Sequence, residues 1–112
     1  ATGGTGLQAC SGDMLLQALV ACAGVTLTSV ATALEIPLIS GRLRAEGDLD
    51  FRGTLGISKE VPVGFRAIRL EFILESSAPP ELLTKLIELT ERYCVVLQTL
   101  RAGVPVTTTV KC

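Results

Sequence analysis

Every residue from Met14 to Leu34 is uncharged, and this run limits what the chain can fold into. It lies within SGDMLLQALVACAGVTLTSVATALE, with Cys22 close to its middle. Ser11 and Asp13 offer a cap or a first-turn acid for a helix starting there. The helix is predicted to run to about Leu34, ahead of the stop at Pro37. It is long enough to cross a bilayer. However, it is heavy in Ala, Thr, Ser and Gly, and no Lys or Arg anchors either end. The expectation is therefore a buried central helix of a non-membrane protein, surrounded on nearly every side. Ala21, Ala23 and Gly24 beside the thiol let another backbone approach closely, or leave room for a small ligand.

After Pro37 the period changes to two. Leu43, Ala45, Gly47, Leu49 and Phe51 alternate with Arg42, Arg44, Glu46, Asp48 and Asp50, which predicts a half-buried strand from Ile39 to Phe51. Residues 52–65, with Gly53, Gly56, Pro62 and Gly64, read as a loop long enough to border a pocket. A second strand is predicted from Arg66 to Glu75. Ile68, Leu70, Phe72 and Leu74 face inward, and Arg69, Glu71 and Glu75 face out to pair with the charges of the first strand. Pro79 and Pro80, with Glu81 behind them, start a second helix. Leu83, Leu86, Ile87, Thr90, Cys94 and Leu97 form its apolar face. Beyond Gly103, Val104, Val106, Thr108 and Val110 alternate as a final strand. Three strands cover only part of so apolar a first helix. The patterning therefore predicts further cover from N-terminal strands, from a second copy of the chain, or from both.

The 112 residues suffice for a single domain, 1–112, with a real core. A net charge of −1 without a basic cluster, and only Phe51, Phe65, Phe72 and Tyr93 as aromatics, exclude a nucleic-acid partner. The chain opens on Ala1 and Thr2-Gly3-Gly4-Thr5-Gly6. This reads as the start of a fragment or a processed chain; without a Lys or a preceding strand it is no phosphate loop.

Four cysteines stand at positions 10, 22, 94 and 112, and there is no His. Their spacing and the lack of His fit no metal site, and a core this rich needs no disulfide framework, so no metal and no cofactor are expected. Thiols inside apolar helix patterns fit a cytoplasmic protein. Two readings of Cys22 and Cys94 remain open. They are core residues, since free Cys is among the most buried residue types, or they are a nucleophilic and a resolving thiol meeting at a helix contact. The second reading needs a cation or a helix dipole to favour the thiolate, and a partner thiol within disulfide reach.

Several segments, in order along nearly the whole chain, resemble the OsmC/Ohr family of osmotically inducible and organic hydroperoxide resistance proteins. They are Ser11-Gly12-Asp13-Met14-Leu15-Leu16 … Ala21-Cys22, Gly47 … Gly53, Pro62 … Gly64-Phe65-Arg66 … Ile68, Ala78-Pro79-Pro80-Glu81, and Glu91-Arg92-Tyr93-Cys94 … Thr99-Leu100 … Gly103-Val104-Pro105-Val106. The resemblance implies an α+β fold, with two central helices packed against antiparallel sheet in an intertwined homodimer. It also implies that a strand region usual at the family's N-terminus is missing here. By the same resemblance, Cys22 is the peroxidatic thiol that attacks an organic hydroperoxide and becomes a sulfenic acid. Cys94 is the resolving thiol that forms the disulfide, and an external dithiol reductant restores the pair.

The sequence also departs from that pattern. Hydroperoxide-resistance members carry a Glu ten residues before the reactive Cys, where this chain has Gly12. Asp13 lies about 180° around an ideal helix from Cys22 and is expected to be a first-turn acid. The family's activating Arg comes from the missing N-terminal region, and Val95-Val96 replaces the usual Pro and small polar residue after Cys94. Cys10 and Cys112 match no family position and are expected to be exposed near the ends. The expected function is a thiol-dependent peroxidase. The alternative is a non-enzymatic small-molecule binding or stress protein with structural cysteines.

Overall fold

The computed structural model describes residues 11–111. Its elements are α1 (Ser11–Ala33), β1 (Leu38–Asp48), α2 (Phe51–Thr54), β2 (Ala67–Ser76), α3 (Pro80–Tyr93) and α4 (Val95–Ala102). Helix α1 buries a single stripe, Leu19, Ala23, Leu27 and Ala31, one residue per turn. This stripe packs on β1, α3 and α4. As the patterning predicts, the described residues of one chain cover α1 only in part: Met14 is 62% exposed and Val25 70%.

Helix α1 ends before Pro37 acts. Ile36 N–H donates to Ala31 O at 2.9 Å and Glu35 N–H to Thr32 O at 3.1 Å. Glu35 adopts φ 56°. This is a Schellman ending, and the accompanying apolar contact is present because Ile36 and Ala31 share one buried cluster. The left-handed residue is a Glu where Gly would sit without penalty.

Strands β1 and β2 pair antiparallel from Leu38↔Ser76 to Asp48↔Ala67, with a bulge between Leu38 and Ser40. Leu43↔Phe72, Ala45↔Leu70 and Gly47↔Ile68 turn inward toward the helices. The outer face carries the expected charge pairing: Arg69 lies 2.9 Å from Asp48 and 3.7 Å from Glu46. These pairs are exposed and contribute little stability. The Ser76 hydroxyl donates to Pro37 O and accepts from Ala78 N–H, tying the α1–β1 turn to the entry of α3.

Four elements differ from the sequence expectation. Strand β1 stops at Asp48, since Asp50 caps the short helix α2 by accepting from Arg52 N–H at 3.0 Å. The Arg52 guanidinium grips the same carboxylate and holds its pKa down at about 2. Gly53 of α2 is buried under the carbonyls of Val61 and Pro62, so the expected loop is folded back over it. The second helix is two helices, broken at Cys94. Finally, residues 104–111 form no strand. Alternation makes a strand only where a neighbour supplies the ladder, and among the described residues β1 and β2 pair only with each other.

Two substitutions test the backbone assignments with opposite signs. Glu35→Gly should raise stability by about 1 kcal/mol by relieving the left-handed residue, read as a Tm increase of a few degrees. Gly53→Ala places its Cβ 2.6 Å from Val61 O and should cost about 1–3 kcal/mol.

Candidate active site

The site is built by the helix break. Thr90 is fully buried, and its hydroxyl donates back to Leu86 O at 2.7 Å. Cys94 N–H donates to Thr90 O at 3.0 Å, which closes α3. Cys94 then turns extended, φ −74° and ψ 110°, and its own carbonyl accepts from Gln98 N–H at 3.0 Å, which starts α4. The break leaves the last carbonyls of α3 and the first amides of α4 without helical partners. The Gln98 side chain donates to Glu91 O at 2.8 Å, and Arg101 lies 3.3 Å from the Glu91 carboxylate. These contacts brace α4 against α3. At its far end α4 closes on Gly103 in the left-handed region, φ 61°.

The freed amides meet Cys22. The structure brings the two predicted site residues together: Cys22, partly exposed on α1, and Cys94, fully buried at the break, are both free thiols packed in one apolar cluster. The Val96 N–H at the head of α4 holds the Cys22 thiol below its ordinary pKa. Partial burial opposes this, and the Cys94 thiol, the Val95 N–H and the Thr26 hydroxyl assist. Burial pushes the Cys94 thiol up, and its contact with the charge on Cys22 raises it further. The two shifts run in opposite directions, so Cys22 ionises more readily than Cys94. Among the described residues no cation contributes to the Cys22 shift. A helix N-terminus takes that place.

Both sulfurs sit in an apolar cluster with Leu19, Ala23 and Leu97, against Leu43, Ala45, Ile68, Leu70, Phe72 and Val96. Beside the cluster is a cavity of about 330 Å³. Leu19, Phe65, Ile68, Leu70, Leu97 and Leu100 wall it, with Arg66, Glu91 and Arg101 also lining it. The cavity gathers residues from α1, β2, α3 and α4, and the segment 52–65, expected to border a pocket, reaches it through Phe65. Its other walls come from distant elements that no local sequence signal joins.

Asp13 lies in the first turn of α1, as expected, and takes no part in the Cys22 shift. At Gly12 a Cβ would stand 2.9 Å from the Phe65 ring, so aromatic packing fills the space beside it. Cys10, Cys112 and the glycine-rich start lie outside the described residues. Among the described residues no three His, Cys, Asp or Glu side chains converge to hold a metal ion.

A long thiol-bearing helix, an antiparallel strand pair and a second helix broken at a second thiol define a dithiol α+β protein. The chain belongs to the OsmC-like protein family, whose sequence model matches residues 4–109. Its fold is similar to that of an OsmC-like protein from Mycoplasma pneumoniae (TM-score 0.68, 24% identity), covering 79% of this chain and 59% of that one. It is also similar to an OsmC-like hydroperoxide resistance protein from Jannaschia sp. CCS1 (TM-score 0.64, 20% identity), covering 94% of this chain and 66% of that one. A third similar structure is an OsmC-like protein of unknown function from Vibrio cholerae (TM-score 0.54, 17% identity), covering 80% and 56%. This chain thus spans about three-fifths of the Mycoplasma protein. At these identities the likeness is one of fold. No protein of curated function matches the sequence.

The α4 amides as the source of thiolate character lead to a direct test. Alkylation of Cys22 by iodoacetamide should reach half its maximal rate below the ordinary thiol pKa of about 8.5, and Cys94 should react only at higher pH. Val95→Pro suits the first position of α4, because Cys94 before it is already extended. It should leave stability nearly unchanged while removing one amide, moving the Cys22 profile slightly upward. An unchanged profile would count against amide activation.

Proposed function

We propose that this protein is a thiol-dependent peroxidase acting on organic hydroperoxides. The observation that carries the reading is the Cys22 thiol at the head of α4 with Cys94 packed in the same apolar cluster. In the reaction the Cys22 thiolate attacks the distal oxygen of ROOH and the O–O bond breaks. Cys22 becomes a sulfenic acid, and the alkoxide takes a proton to leave as ROH. Cys94 then displaces water from the sulfenic acid, forming the Cys22–Cys94 disulfide. An external dithiol reduces it, and no metal or cofactor takes part. The apolar walls favour an alkyl or aryl hydroperoxide over hydrogen peroxide, because only the former gains burial.

The same reading places the working protein in the cytoplasm as a homodimer, without nucleic-acid or membrane partners. Support for the dimer is the uncovered side of α1, together with a radius of gyration of 17.4 Å against about 13 Å for a compact domain of this size. Support against a membrane role is that the α1 stripe is already used as core against the sheet and both later helices.

The test uses reduced protein carrying Cys10→Ser and Cys112→Ser. One equivalent of cumene hydroperoxide should yield cumyl alcohol and a Cys22–Cys94 disulfide by mass spectrometry. Cys94→Ser should stop at a Cys22 sulfenic acid that dimedone traps, and Cys22→Ser should consume no peroxide. If both thiols survive, the peroxidase reading fails. A second reading, a non-enzymatic binding protein, draws support from the cavity that lies beside the thiols and from the Phe65 ring over Gly12. On that reading Cys22→Ser retains ligand affinity in full.

A further inference from the structure

We infer that Phe65 is the specificity-determining wall of the substrate site, setting how long a hydrocarbon body the cavity beside the thiols accepts; this rests on the peroxidase reading. Four residues that line the cavity, Leu19, Ile68, Leu70 and Leu97, belong to or pack against the cluster that holds Cys22 and Cys94. Neither thiol lines the cavity itself; on the peroxidase reading the apolar part of the hydroperoxide would lie in it, with the O–O bond directed past this shared wall toward Cys22. The cavity volume, about 330 Å³, sits at the low end for small-molecule sites.

The Phe65 ring closes one side of this cavity, and the backbone around it is shaped for a ring. A Cβ at Gly47 would stand 2.5 Å from two ring atoms, and one at Gly12 would stand 2.9 Å from another. Leu49 reaches within 3.4 Å of the same Gly12 position. Two glycines on different elements, the first turn of α1 and the far end of β1, thus form a slot filled by one side chain. Phe65 both fills the slot and lines the cavity, so its truncation is expected to open the one to the other. Other apolar lining residues, such as Leu19 and Leu97, are core residues whose loss would damage the thiol cluster itself.

The test is a series of straight-chain alkyl hydroperoxides of increasing length, run beside the matching alcohols as redox-inert ligands. In the wild type, kcat/KM and alcohol affinity should rise with length and then stop rising. In Phe65→Ala that limit should move to longer chains. Each methylene newly accepted should gain about fourfold in affinity, read in KM and alcohol Kd with kcat held. Phe65→Leu, which keeps most of the packing, should give an intermediate limit, and circular dichroism checks that both variants fold. The same length limit in wild type and both variants, for peroxides and alcohols alike, overturns the inference. A shifted limit for alcohols in a protein that turns over no peroxide upholds Phe65 as the wall and refutes only the peroxidase reading.

Discussion

The whole arrangement depends on how closely α1 approaches the junction of α3 and α4. Ala23 is fully buried there, between Leu19 and Leu27 on the one stripe that α1 gives to the core. A methyl side chain at that place lets a second backbone come near enough for its amides to reach a sulfur on the adjacent α1 residue. A larger residue would hold α4 away, and Cys22 would lose the Val96 amide, the strongest of the groups that favour its thiolate. Packing and chemistry are here one constraint: the small residue that permits the contact also sets the electrostatics.

The break at Cys94 supplies the second half. A continuous helix would spend the Val95 and Val96 amides on carbonyls one turn earlier. Breaking it frees them, and the cost falls on the carbonyl end of α3. Gln98 and Arg101 offset part of that cost by bonding the Glu91 carbonyl and carboxylate. Both contacts are exposed, so each contributes modestly. Their value lies in fixing the direction of α4, and with it the aim of two amides.

Much of this was readable from the residues, and the failures have physical causes. The sheet was legible because its inner face, Leu43, Ala45, Ile68, Leu70 and Phe72, alternates strictly with charge. Helix α1 was legible from its uncharged length, although not that one stripe alone would be covered. The break was invisible because Thr90, Cys94 and Leu97 continue the helical period straight across it. Periodicity records which residues face the core, and a kink that keeps them facing the core leaves no mark. The supposed last strand misled for the complementary reason, since Val104, Val106 and Val110 alternate whether or not a partner strand exists. The slot of Gly12, Gly47 and Phe65 joins three distant segments. No local pattern encodes a contact of that kind.

The opposite shifts of the two thiols also bear on a difficulty that the missing acid creates. On the peroxidase reading an alkoxide must leave from beside an apolar wall, and it needs a proton. The groups facing the Cys22 sulfur are two amides, the Thr26 hydroxyl and the Cys94 thiol. The Thr26 hydroxyl already donates to the Cys22 carbonyl at 2.9 Å. The Cys94 thiol is held up chiefly by burial, and further by the charge of its neighbour. Oxidation of Cys22 to a neutral sulfenic acid removes that charge. Cys94 therefore becomes a better acid at the moment a proton is wanted. Giving up the proton leaves it as the thiolate that resolution requires. One thiol can serve in turn as acid to the leaving oxygen and nucleophile to the sulfenic acid; its thiolate then expels hydroxide, which takes a proton from solvent to leave as water, so a site without a carboxylate at Gly12 draws one proton from water in each turnover.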